Sequence, residues 1–182
     1  MPILGILASS FRSAAGPVGA YDSLATVTLS ANTSSITFAG IPSGYKHLQI
    51  RASARYSTGT ETGVKMRLNG DTGSNYAYHE LYGTGTGAGA AAGTTQTAIS
   101  DTMYINSTAS VFGGAVIDIL DYANTNKYKT IRSLNGADVN GGGYITFMSG
   151  LWQNTAAITS IEMYVAANAM TQYSTFALYG VK

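Results

Sequence analysis

The stretch ASVFGGAVIDIL, residues 109–120, decides how the whole chain is read. Val111, Phe112, Ala115, Val116, Ile119 and Leu120 share one face of a helix. Gly113-Gly114 opposes that reading, because each glycine weakens a helix interior by roughly 1 kcal/mol relative to alanine. The run is also rich in β-branched side chains, which favour the pleated surface of a sheet. Read as a strand, it leaves no good helix anywhere in the 182 residues.

Working outward, period-two alternation recurs. In VKMRLNG (64–70), Val64, Met66 and Leu68 face one way and Lys65 and Arg67 the other, the signature of a half-buried strand. SLATVTLSA, SSITFAG, YKHLQIRASARY, YAYHELYG, TAISDTMYIN, KYKTIRSLN, GYITFMSGLW, ITSIEMYVA and STFALYGVK read alike, with Gly, Asn, Ser, Thr and Pro between them. TGTGAGAAAGTT (84–95) is low in complexity and small, and reads as a flexible surface loop. The expected fold is all-β: an antiparallel, jelly-roll-like sandwich of about 8–10 strands in one domain, residues 21–182.

Composition narrows the function. Charged residues are 10% of the chain, against about 25% in an average domain, and the net charge is +1 with no basic run. That argues against nucleic acid, which needs a clustered positive field, and against anionic membranes. No stretch approaches the ~20 apolar residues of a bilayer span. The chain has no Cys, so disulfides, thiolate metal sites and thiol catalysis are excluded.

The opening MPILGILASSFRSAAGPVGA carries Ile3, Leu4, Ile6, Leu7 and Phe11, but its first positive side chain, Arg12, follows the apolar run, the reverse of a secretory signal. It is either a strand of the domain's own sheet or an arm that docks on a partner. The arm is the expectation here: residues 1–20, with Gly16, Pro17 and Gly19 as its hinge.

Candidate chemistry is sparse. His47 and His79 have no nucleophile motif beside them and read as sheet-face histidines. Glu80, Asp118, Asp121, Asp138 and Glu162 form no recognisable pair for glycoside hydrolysis. NGDTGSN places Asn69, Asp71, Gly73 and Asn75 at alternate positions, faintly like a calcium loop, but lacks the later bidentate Glu. Asn-Gly is a strong hairpin signal, so this stretch reads as a hairpin turn. No catalysis, metal or cofactor is expected. The 13 tyrosines and one Trp leave two readings. Tyr76, Tyr78, Tyr82, Tyr122 and Trp152 could stack on sugar rings, or could be core and subunit-interface residues.

YDSLATVTLS, IPSGYKHLQIR, RLNGDTGSNYAYHELYG, VIDILDYANTNKYKTIRSLNG, SGLWQNTAAITSIEMYV and STFALYGVK together resemble a family of small β-rich virion proteins of tailed bacteriophages. The resemblance runs over most of the chain. It implies a structural protein on the virion surface, jelly-roll-like and often trimeric, decorating the capsid or forming head or tail fibres. Its implied partners are further copies of itself, the major capsid protein or another virion protein, and a host surface glycan. It carries over no catalytic residue, and it favours the arm reading of residues 1–20.

Overall fold

A computed structural model describes residues 19–182 as twelve antiparallel strands in two sheets, with no helix among the described residues. The strands are β1 (Tyr21–Thr28), β2 (Ser35–Ala39), β3 (His47–Ala54), β4 (Glu61–Leu68), β5 (Tyr76–Gly83), β6 (Ala88–Gln96), β7 (Ile99–Asn106), β8 (Gly113–Leu120), β9 (Lys129–Asp138), β10 (Gly143–Trp152), β11 (Ser160–Tyr164) and β12 (Thr175–Val181). One sheet has the order β1-β12-β3-β8-β9-β10-β5-β6 and the other β2-β11-β4-β7. Together they form a β-sandwich.

The alternation read in the sequence sets the core. Leu48, Ile50, Ile117, Ile119, Ile131, Met148 and Phe176 of the larger sheet meet Ile36, Phe38, Val64, Met66, Leu68, Ile105 and Ile161 of the smaller. Met103, Met148, Met163 and Met170 are all fully buried. The stretch 113–120 is strand β8, with Gly113, Ala115, Ile117 and Ile119 inward and Gly114 and Val116 outward.

Two hairpins, β5–β6 and β9–β10, sit beside β8 and widen the larger sheet. With those hairpins left out, the remaining eight strands, renumbered in chain order, run 1-8-3-6 in one sheet and 2-7-4-5 in the other. The free edge of β7 is satisfied from across the sandwich. Asn135 Oδ1 accepts from Tyr104 N at 2.9 Å, and Ser133 Oγ donates to Thr102 O at 2.6 Å.

Two local expectations are corrected. Residues 84–95 are not a loop throughout, because Ala88–Gln96 form edge strand β6. Its small residues are what the pairing needs: the rings of Tyr82 and Tyr78 lie across Gly89 and Gly93, where any β-carbon would collide with them. Asn69-Gly70 does form a tight turn, with both residues at positive φ and Asp71 N donating to Leu68 O. It is not a hairpin, because β4 and β5 belong to different sheets, and the turn carries the chain from one to the other.

Tyr21 pairs with Val181, Lys182 N donates to Ala20 O, and Lys182 Nζ meets the Asp22 carboxylate at 2.9 Å. Both ends of the body therefore sit at one corner of the larger sheet. Ile3, Leu4, Ile6, Leu7, Phe11, Gly16 and Pro17 lie outside the described residues. Gly19, the remaining hinge residue, is exposed.

Candidate functional site

The largest unusual feature is the outer face of the eight-stranded sheet. Pleating sends alternate residues outward, and the register lines them up across strands. Leu81, Phe147, Leu134 and Val116 stand side by side on β5, β10, β9 and β8. In the next row are Gly83, Ile145, Gly136 and Gly114. Leu81, Ile145, Leu134, Phe147 and Val116 are between 41% and 63% exposed, although each is large and apolar. Single exposed apolar residues are ordinary, whereas a contiguous set marks a contact surface.

Beside them lies a groove of about 930 Å³, walled by Ile145, Leu134, Val116 and Phe112 and floored by Gly114 and Gly136. Gly136 is required by its own fold, since a β-carbon there would strike Tyr144 O at 2.4 Å. Gly114 is not. It has no positive φ, and a β-carbon built on it meets nothing within 4 Å. A glycine inside a strand costs roughly 0.5–1 kcal/mol relative to alanine, and often marks close approach by another surface.

Of the charges flanking this row, Arg51 and Asp118 are engaged within the chain, while Arg132 is exposed. Arg51 lies 5.2 Å and 5.1 Å from the ring centres of Tyr21 and Tyr179, and its Nε donates to Gln49 Oε1. Gln49 Nε2 donates to Asp118 Oδ1, and Asp118 stands in register with Arg132.

The aromatic candidates divide. Tyr76, Tyr122 and Trp152 are fully buried and do not form a sugar-stacking surface. Tyr76 and Trp152 stack at 6.3 Å inside the sandwich. Trp152 Nε1 donates to Asp71 Oδ2 at 2.7 Å, and Tyr76 OH accepts from Leu68 N. Burial pushes the Tyr76 hydroxyl up to about 12. Tyr122 OH donates to Pro42 O, pinning that loop. Each polar tip needs a partner inside the chain, and the ring goes in with it.

Tyr78 and Tyr82 are half-buried on the inner face of β5, beside edge strand β7 of the smaller sheet. There they join two residues the sequence did not single out, Tyr104 and Tyr144. Rings 82 and 144 stack at 5.5 Å, and 104 and 144 at 4.4 Å. Register between β5 and β10, and the packing of β7 against them from the other sheet, create this cluster, and local pattern carries no sign of it.

Beneath the stack are two carboxyl groups. Glu80 is 7% exposed, and its Oε2 has no hydrogen-bond partner within the chain. Burial raises its pKa, and Asp101 adds to the shift. Burial also raises Asp101, with Lys65 opposing. Asp101 sits in a bulge of β7 at φ 58°, folded over Gly63. The pair is thus held toward its neutral form.

His47 accepts from Asp121 N at 3.0 Å through Nδ1, beside an Asp121 carboxylate that Lys46 and Lys127 also contact. His79 is exposed on the outer face. In residues 69–75 the Asp71 carboxylate accepts from Gly73 N, Asn75 Nδ2 and Trp152 Nε1. Its lone pairs serve the turn. No group of three or more His, Cys, Asp or Glu side chains able to hold a metal occurs among the described residues.

Comparison with family models, curated proteins and solved structures finds no match to the chain.

Proposed function

We propose that this chain is a structural protein of a bacteriophage virion, a capsid decoration or head-fibre protein attached to the shell through residues 1–20. It works as a non-enzymatic binding module on the virion surface, in several copies, three by the resemblance. The observation that carries this reading is the corner where the body's ends meet. Ala20 and Tyr21 are bonded to Lys182 and Val181, so the preceding residues leave from an anchored point. The strand order 1-8-3-6 over 2-7-4-5 supports a jelly-roll wrapping, with β5–β6 and β9–β10 as additions. Burying apolar arm residues contributes about 1.5–3 kcal/mol each before ordering costs, and several arms per assembly multiply avidity. Deleting residues 1–16 is expected to abolish decoration of shells while leaving the thermal transition of the body unchanged. Full decoration by the truncated chain would refute the attachment.

The second reading is a tail-fibre or receptor-binding protein that recognises host surface glycan. It is favoured by the half-exposed edges of Tyr78, Tyr82, Tyr104 and Tyr144. Tyr82→Ala should then lower adsorption to host cells, and unchanged adsorption counts against it.

A further inference from the structure

The outer face carries a knob and a hollow at equal distances from one strand. Ile145 on β10, Gly136 on β9 and Gly114 on β8 lie in one row, and Phe147, Leu134 and Val116 in the next. Neighbouring strands are about 4.8 Å apart, so knob and hollow flank β9 at about that distance on either side.

We propose that this face is a twofold contact between two copies of the chain, with Ile145 of each seated over Gly114 of the other. A twofold axis running along β9, between two sheets packed face to face, exchanges the β8 and β10 sides. It brings Phe147 onto Val116 of the second copy and Leu134 onto its own mate. Such an interface is isologous, each contact occurring twice, and the sheets pack in the aligned manner of sandwiches.

Three observations select a second copy as the occupant. Charged side chains are few on this face: Arg51 and Asp118 are engaged within the chain, and Arg132 and Asp138 stand exposed at its two margins on β9. The chain's net charge of +1 gives copies little reason to repel. The five exposed side chains supply on the order of 500 Å², and the flush backbone of Gly83, Gly114 and Gly136 extends contact toward the roughly 800 Å² per partner of a standard interface. Gly114, unexplained by its own fold, is where the second backbone needs room. The contact is built from residues 81–147 and does not depend on shell attachment.

The test is the mass of the full chain in solution, by sedimentation and light scattering over a dilution series. Two copies are expected, or six if a threefold contact also forms. Gly114→Val fills the hollow where the isolated chain has open space. It should keep the circular dichroism and melting of the fold, raise the dissociation constant by roughly a hundredfold, and halve the mass. Leu134→Ser should do the same by removing the contact on the axis. A wild-type mass of one or three copies would overturn the proposal, as would a mass that neither variant changes. So would a groove filled by residues 1–18 or by an unrelated protein.

Discussion

Replacing Lys129 by Met tests how the loops at one end of the sandwich are held. Lys129 opens β9 with its side chain fully buried. Its ammonium group donates to Asn124 O, to Lys127 O at 3.0 Å and to Thr155 O at 2.9 Å. An ammonium has three donors, and here three carbonyls take them. They come from the β8–β9 loop and the β10–β11 loop, so one side chain ties two connections together. The side chain has no carboxylate partner among the described residues, and burial, with Lys127 nearby, lowers its pKa. Met keeps the stem and removes charge and donors. Three bonds to a charged donor are worth about 1.5–3 kcal/mol each. Against that, the variant no longer desolvates a cation, which returns several kcal/mol. The net expectation is a loss of about 2–4 kcal/mol, or about 5–15 °C in the thermal midpoint for a chain of this length. Urea unfolding gives the free energy, and amide exchange should show residues 121–128 opening first. A midpoint equal to or above wild type would refute the reasoning, because the desolvation cost would then match the whole value of the tripod.

Three further outcomes follow from the carboxyl groups of Asp71, Glu80 and Asp101. Burial works against the Asp71 charge, but donation from Trp152, Asn75 and Gly73 outweighs it and holds its pKa below the usual range. Its stabilisation is therefore present above the ordinary carboxylate pKa and lost as pH falls through the lowered folded value. Asp71→Asn should cost about 2–3 kcal/mol at neutral pH and flatten that acid limb in denaturation curves. Glu80 has the opposite sign: its raised pKa means its contribution is full below the unfolded value and lost as pH rises through the folded one. Glu80→Gln should thus melt higher than wild type at neutral pH by an amount of order 1 kcal/mol, with no gain in acid; equal melting at both pH values would reject this. Gly63→Ala puts a methyl 1.7 Å from the Asp101 carboxylate oxygen. It should cost about 1–3 kcal/mol, and much of that loss should vanish in a chain that also carries Asp101→Ala, as a double-mutant cycle would measure.

What could be read before the fold was seen was local. Val64, Met66 and Leu68 alternate because one face of β4 meets the core, and Gly113-Gly114 ruled out a helix on propensity alone. Strand β6 escaped because Ala and Gly carry no alternation to detect; it is a strand only because Tyr78 and Tyr82 need room on their neighbour. The Asn69-Gly70 turn was identifiable as a turn, but which strands it joins depends on sheet assignment, a non-local property. The same limit hid the tyrosine stack and the outer apolar row. Leu81, Phe147, Leu134 and Val116 are far apart in the chain and adjacent only through register. Tyr76, Tyr122 and Trp152 stayed open between surface and core because nothing in their neighbours announces the groups that meet their polar tips, the Leu68 and Pro42 backbone and the Asp71 carboxylate.

The pairing of β1 with β12 also imposes an order of events on synthesis. The first strand of the body finds its hydrogen-bond partner in the last seven-residue strand, and β3 lies on that strand's other side. While the chain is still emerging, β1 has no other strand to join among the described residues, and β3 has only β8. Closing the sheet waits for residues 175–181, the kind of long-range pairing that slows folding. Until then the unpaired edges of β1 and β3 are open to strands of neighbouring nascent chains. A chain lacking Thr175–Val181 would therefore be a species whose other core strands are present but whose sheet is split beside β3, a better seed for aggregation than for assembly.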